Sequence, residues 1–256
     1  EKLRIRDRRQ LQEKLSDICD DVYPLAPTVL NELVNRQNLS SSVVVATKKV
    51  IEALIKDEGL PGLGFEGNGP EVSIFQGVLG RHRLYSADQD GAWSLVGPDQ
   101  KTDKGVRAVW REIEAHLKSA VESPASLEAL YDKLGASPYG VRKGMIPLYI
   151  WLVLIQHRAT VSLYENGTFQ TEWSPELFDR FVKAPESFKC RWLVYKDTLG
   201  GLLQRLNGCI PRAEAIKTAG GDVPLTGFLQ SLYAWYHSLP DYATKTQSLS
   251  SETLEV

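Results

Sequence analysis

The sequence has few cysteines and no long hydrophobic run. Cys19, Cys190 and Cys209 lie far apart and none belongs to a CxxC pair, which argues against a disulfide framework and a cysteine-rich zinc site. Reduced thiols fit best, so we expect a cytoplasmic location. The longest apolar run, residues 145–155, contains Pro147 and is shorter than the roughly 20 residues that a transmembrane helix needs. No contact with a membrane is therefore predicted.

The chain also lacks a strong net charge. Its 256 residues carry a formal charge of -2, and 43% are hydrophobic and 24% charged, which is typical of a soluble globular protein. This balance disfavours a protein that coats nucleic acid, although a local basic patch stays open. The first residue is not Met, and the chain stops at SSETLEV, where a new helical pattern begins. We therefore expect a piece of a longer polypeptide.

Patterns of catalytic or metal-binding residues are missing as well. Asp20 and Asp21 lie beside Cys19 without a nearby histidine, which favours a simple buried thiol over a nucleophile. The glycine-rich segment 59–70 lacks the lysine that a nucleotide-binding phosphate loop requires. Metal-ligand spacing is absent among the four histidines, His82, His116, His157 and His237. We predict no catalytic residue, no metal, no cofactor and no enzyme activity in this chain.

Apolar residues at helical spacing predict helices in the first hundred residues. The clearest case is 6–23, whose apolar positions are Leu11, Leu15, Ile18 and Val22. A short amphipathic helix is predicted from Pro27 or Thr28 to Arg36. A third helix is expected between a serine cap at 40–42 and a stop at Gly59. Residues 81–98 are predicted to form a hairpin or an extended loop, with a turn at residues 90–91 (DG).

From residue 105 to residue 172, the predicted elements follow the order helix, helix, turn, helix, hairpin. The third helix runs from about Arg142 to His157, and Asn166-Gly167 marks a tight hairpin between two β-prone runs. This is the order of a winged-helix module, in which the third helix usually meets DNA. Ser174 then caps a further helix, and residues 188–197 (FKCRWLVYKD) read as a strand.

These patterns predict a mainly α fold of the α+β class, a helical bundle with a central winged-helix-like module that carries a β-hairpin wing. Three regions are expected. Residues 1–100 form an N-terminal helical region with the glycine-rich loop 59–70, residues 101–195 form the winged-helix-like module, and residues 196–256 form a C-terminal helical region.

The third predicted helix is apolar on every face between Leu148 and Ile155. A helix that reads base edges needs polar side chains over two or three turns, so burial in a core and a structural or protein-contact role are favoured over DNA reading. The wing, residues 165–168, is acidic or neutral, which also disfavours contact with phosphate. If DNA binds, the candidate residues are Arg142, Lys143, Arg158, Arg81 and Arg83.

Several short stretches point to a family. They are LSDICD at 15–20, NELVNR at 31–36, LGFEG at 63–67, PYGVRKGMIP at 138–147, LYENG at 163–167 and LPDY at 239–242. In these stretches, which are spread over most of its length, the chain resembles very large bacterial P-loop ATPases of phage-defence gene islands, of the kind found in bacteriophage-exclusion systems.

The resemblance implies a place after the ATPase domain. The chain has no Walker lysine and no acidic pair at a strand end, so none of the ATPase's catalytic residues carries over. The resemblance therefore implies a non-catalytic accessory region that contacts a protein partner or the parent ATPase domain and mediates assembly. The alternative is a DNA-binding winged-helix module of the same ATPase.

Overall fold

The computed structural model describes residues 7–56, 59–89, 91–194, 205–206, 225–240 and 242–243. The chain divides into two compact units, residues 1–192 and residues 193–256. The described helices are α1 (Arg8–Val22), α2 (Ser41–Lys56), α3 (Pro70–Ile74), α4 (Lys104–Ser119), α5 (Ala129–Gly135), α6 (Ile146–Gln156), α7 (Pro175–Lys183) and α8 (Leu225–Ser238). The strands are β1 (Tyr85–Ala87), β2 (Trp93–Leu95), β3 (Ala125–Ser126), β4 (Val161–Glu165), β5 (Thr168–Phe169) and β6 (Phe188–Trp192). A mainly helical fold of mixed α+β class is confirmed.

Helices α1 and α7 each begin at a side-chain cap, and one of these caps, Ser174, was predicted from the sequence. The Asp7 side chain accepts a hydrogen bond from the backbone N–H of Gln10 at 2.8 Å and begins α1. The Ser174 hydroxyl accepts from the backbone N–H of Leu177 at 3.3 Å and begins α7. Each cap satisfies a backbone donor that has no partner within the first turn of the helix. The predicted helices at these two places are therefore confirmed.

The short helix predicted between Pro27 and Arg36 is wrong, because this segment forms turns. The Asn31 side-chain oxygen accepts from the backbone N–H groups of Leu33 and Val34, at 3.0 and 3.4 Å. Its side-chain nitrogen donates to the backbone carbonyl of Ser73 at 2.7 Å. An Asn side chain that bonds to nearby backbone groups offers the chain an alternative to helix. A contact 42 residues away fixes that alternative here.

Helix α6 begins at Ile146, four residues later than predicted. The backbone N–H of Gly144 donates to the carbonyl of Arg36 at 2.9 Å, and that of Lys143 donates to the Gln37 side chain at 3.2 Å. A side chain at Gly144 would also collide with the Arg36 carbonyl. The turn at residues 142–145 is therefore shaped by the loop that contains Arg36. Pro147 lies in the first turn of α6, where it is tolerated.

Both predicted hairpins are present in the structure. Strands β1 and β2 pair antiparallel, and the Asp88 N–H donates to the Ala92 carbonyl at 2.9 Å. Asp90 of the expected turn lies outside the described residues. Strands β4 and β5 are joined by Asn166 and Gly167 alone, whose φ angles are +49° and +81°. Positive φ at both central residues is what a two-residue hairpin turn of type I′ requires. The first five residues of the strand predicted at 188–197 form β6, which alternates buried Phe188 and Cys190 with exposed Lys189 and Arg191. Residues 195–197 of that prediction lie outside the described residues.

The second sheet has four antiparallel strands in the order β3-β6-β4-β5. Its longest pairing joins β4 to β6, from Val161 opposite Trp192 to Glu165 opposite Phe188. The strand between α4 and α5, β3, pairs with β6. Strands that are far apart in sequence, such as β3 and β6, therefore belong to one sheet.

Helix α6 lies at the centre of the first unit. Residues 146–155 are all buried, and α2, α4, α5 and α7 contact this helix. The Trp151 ring meets Phe178 edge-on at a centroid distance of 5.4 Å, and it also packs against Trp173 and Phe181. The prediction that the apolar stretch is buried all round is confirmed. Within the described ranges, none of the helices is both long and apolar enough to cross a bilayer.

Candidate functional site

Helix α1 presents an apolar surface to solvent. Every residue of this 15-residue helix is exposed. Its four apolar side chains, which we call the α1 stripe, are exposed by 40, 51, 55 and 43%, in the order Leu11, Leu15, Ile18 and Val22. Their spacing of four, three and four residues places them on one side of the helix. Large exposed apolar side chains in one row are typical of a contact site.

The attachment of α1 is concentrated at its C-terminal end. The Ser137 hydroxyl donates to the carbonyl of Val22 at 2.8 Å, and the Leu25 N–H donates to the carbonyl of Pro138 at 3.0 Å. The Tyr23 ring lies so close to Gly140 that a Cβ there would be 2.6 Å from it. The end of α1 is therefore fixed against the loop before α6, and the stripe projects from that point.

Helix α1 is not stabilised by packing along its length. With 15 residues, α1 is only at the upper end of the range of about 12–15 residues below which isolated helices are marginal in water, and most helices in proteins are stabilised by packing of an apolar face. The surface ion pairs Arg9–Glu13 at 3.1 Å and Lys14–Asp17 at 3.2 Å contribute about 0.3–0.5 kcal/mol each. A partner that covers the α1 stripe would supply the missing packing.

Cys19 lies on the same helix and is exposed. The expectation that it is a buried thiol is therefore wrong, because α1 does not pack on the core. Cys190 is buried in β6, and burial raises the pKa of its thiol to about 12. A thiol with such a pKa is protonated and unreactive at neutral pH.

Of the candidate DNA-contacting residues, Arg142 and Lys143 are adjacent in the chain. Both are exposed in the turn before α6. Within the part of the chain that the structure describes, neither side chain takes part in an ion pair. Arg36 is exposed on the adjoining loop, and its carbonyl accepts from Gly144. These three residues, Arg36, Arg142 and Lys143, form a small group that we call the basic turn.

Arg158 lies at the opposite end of α6. Its guanidinium donates to the carbonyl of Ile55, at the C-terminal end of α2, at 3.1 Å. A helix of the 11 residues of α6 is about 16 Å long, so Arg158 does not join the basic turn. Arg158 ties α2 to α6, which is a structural contact.

Arg81 and Arg83 are exposed on either side of buried His82, in the connection between α3 and β1. Burial lowers the pKa of His82; nearby Asp103 opposes this effect and Arg81 adds to it. Arg83 has a φ of +56° and lies near Asp99, whose pKa is lowered, mainly by a hydrogen bond from Thr102. The candidate cations therefore lie in three separate places on the unit.

The glycine-rich loop forms one wall of a pocket of about 370 Å³ between itself and α2. Two lysines line the pocket, but each is paired with a carboxylate, Lys49 with Glu71 at 3.5 Å and Lys56 with Glu52 at 3.0 Å. This compensated charge gives no support to a phosphate site. In the described ranges, no cluster of three His, Cys, Asp or Glu side chains could hold a metal ion.

Comparisons with known proteins identified no relative of this chain. No protein-family model, no curated protein and no solved structure matches the chain. The α1 stripe is thus the feature that carries a functional argument. Its residues were identified as a helix from sequence, but their exposure was not. The sequence signal that could have indicated a contact helix was the spacing of four and three residues between apolar positions in an otherwise polar helix.

Proposed function

We propose that this chain is a non-catalytic accessory region of a larger phage-defence ATPase, and that it mediates protein–protein contact or assembly. The observation that carries the proposal is the α1 stripe, an apolar row on a helix with no buried residue. The resemblance of the sequence to such ATPases supplies the parent protein.

The arrangement around α6 supports a scaffolding role. The chain order is α4, β3, α5, α6, β4, β5, α7, β6, and the sheet order is β3-β6-β4-β5. Three helices followed by the β4–β5 hairpin have the order of a winged-helix module, and we infer such a module here, with α7 inserted before β6. In that module, α6 would take the place of the helix that enters a DNA groove. Contacts from α2 and α7 cover α6 instead. The module would therefore hold surfaces in place and leave recognition to α1.

The proposal can be tested on the natural full-length polypeptide. The double variant Leu15→Glu, Ile18→Glu places charges on the α1 stripe. Leu30→Glu is the control, because Leu30 is 64% exposed but lies outside α1. We expect the double variant to lower the mass of the assembly measured by light scattering, while the control keeps it. An unchanged mass would reject α1 as the contact, and a reading frame without a P-loop domain would reject the link to an ATPase.

The basic turn favours a second candidate, the DNA-binding module. Arg142 and Lys143 can contact phosphate, whereas buried α6 cannot reach base edges. Binding would then be independent of sequence and would weaken steeply as salt rises. Replacing Arg142 and Lys143 together with Gln should reduce the salt slope by about 2. The control is Arg111→Gln, an exposed arginine on α4. Absence of binding at low salt would exclude this candidate.

A further inference from the structure

We propose that the partner of the α1 stripe is α1 of a second copy of this chain, in an antiparallel two-helix contact. The inference rests on the proposed function, because it names the partner of the same surface. Three properties of α1 lead to it, namely its spacing, its flanking charges and the position of Arg8.

The spacing of the stripe is that of a two-helix seam. Apolar residues that alternate every four and three positions are the pattern by which two helices pack side by side. The 15 residues of α1 make a helix about 22 Å long. In an antiparallel pair centred between Leu15 and Ile18, Leu15 lies opposite Ile18 of the second copy. Leu11 then lies opposite Val22 of the second copy, so each apolar residue has an apolar partner.

The charges beside the seam fit this antiparallel register. Lys14 and Asp21 are seven residues apart and therefore flank the seam on the same side of the helix. The antiparallel register brings Lys14 opposite Asp21 of the second copy, and the two-fold symmetry repeats the pair. Lys14 pairs with Asp17 of its own helix at 3.2 Å. Both groups of that pair are exposed, so Lys14 is able to exchange partners.

Arg8 distinguishes the two possible directions. It lies seven residues before Leu15, in line with the stripe. A parallel pair would place Arg8 against Arg8 of the second copy, which is a like-charge contact in the seam. In the antiparallel register, Arg8 lies beyond the last residue of the opposite α1. The antiparallel direction therefore avoids this repulsion and gains two Lys–Asp pairs.

Charge reversal tests the register on the complete 256-residue chain. Lys14→Glu and Asp21→Lys each create two like-charge contacts, and the double variant restores two opposite pairs. We expect each single variant to raise the dissociation constant of the dimer about tenfold, measured by sedimentation equilibrium. The double variant should return it to the wild-type range. Asp21→Lys separates dimer contacts from helix stability. A cation near the C-terminal end of α1 stabilises the helix itself, so weaker dimerisation of this variant would not result from loss of the helix. Single variants that dimerise as the wild type does would overturn the register.

Cross-linking tests the direction. In the antiparallel pair, Gln12 lies opposite Cys19 of the second copy, whereas in a parallel pair Lys14 takes that place. With a short bifunctional maleimide, Gln12→Cys should therefore give covalent dimers in higher yield than Lys14→Cys or the wild type. The reverse order would contradict the antiparallel direction.

The outcome also separates this inference from the proposed function. If the 256-residue chain stays monomeric at every concentration tested, self-pairing is wrong. In that case, a loss of mass in the full-length assembly on changing Leu15 and Ile18 would still support a contact with a different protein. If neither measurement responds to the α1 stripe, both the inference and the proposed function fail.

Discussion

Two buried tryptophans allow a quantitative test of the packing around α6. Trp151 on α6 and Trp110 on α4 are both buried. The indole N–H of Trp110 donates to the Gln156 side-chain oxygen at 3.1 Å. Among the residues that the structure describes, none accepts a hydrogen bond from the indole N–H of Trp151. An unpaired buried polar group costs about 1–3 kcal/mol, so the same substitution should have unequal effects at the two positions.

Substitution by phenylalanine removes a similar volume and the N–H at each position. At Trp110, the loss of packing is joined by a lost hydrogen bond and an unpaired Gln156 oxygen. At Trp151, the loss of packing is partly offset, because an unpaired donor is removed. We expect Trp110→Phe to cost more free energy of unfolding than Trp151→Phe, by about 1–3 kcal/mol. Trp151→Ala, which leaves a cavity, should cost about 3–5 kcal/mol.

The assay is urea denaturation followed by circular dichroism, with the slope of unfolding free energy against urea compared between variants. A shift in the midpoint at constant slope reports stability alone. Equal losses for the two phenylalanine variants, or a larger loss at Trp151, would refute the reasoning. Such a result would mean that the Trp151 N–H is satisfied in solution, for instance by a buried water.

Further predictions concern close packing, titration and the Asn31 turn. Gly105→Ala should lower the melting temperature strongly, because its Cβ would collide with the Ala26 backbone, whereas Gly135→Ala meets nothing within 4 Å and should leave it unchanged or higher. Because burial lowers the pKa of His82, its contribution to stability should be complete above about pH 6.5 and decline below it. His82→Gln should flatten the dependence of melting temperature on pH in that window. Asn31→Ala should cost about 1–3 kcal/mol in urea denaturation, because its side chain satisfies three backbone groups.

Local signals predicted the parts of the fold that depend on local chemistry. An all-apolar helix cannot be stable on a surface, so burial of residues 145–155 followed from composition alone. The Asn166-Gly167 turn followed from the need for positive φ. The turns around Asn31 and the late start of α6 depend on contacts between distant segments. No periodicity within either segment encodes those contacts.

Contacts between distant segments also limited what the sequence could predict about the candidate DNA-contacting residues. The exposure of Arg142 and Lys143 could be expected from their charge. The commitment of Arg158 to the Ile55 carbonyl joins residues 103 positions apart, so sequence alone gave no sign of it. The α1 stripe is the reverse case. Its spacing predicted the helix but not the exposure of its apolar residues, and only the structure places them in solvent.

The energetic cost of exposing α6 argues against a role as a hidden recognition helix. Lys48 of α2 binds Glu176 and Asp179 of α7, both at 3.0 Å, and so joins the two helices that contact α6. Exposing the ten buried residues of α6 would cost about 15–30 kcal/mol at 1.5–3 kcal/mol for each side chain. That exceeds the 5–15 kcal/mol by which whole domains are stable. A folded unit therefore keeps α6 covered. A partner, as proposed above, would contact surfaces that are already exposed, of which the α1 stripe is apolar enough to drive association.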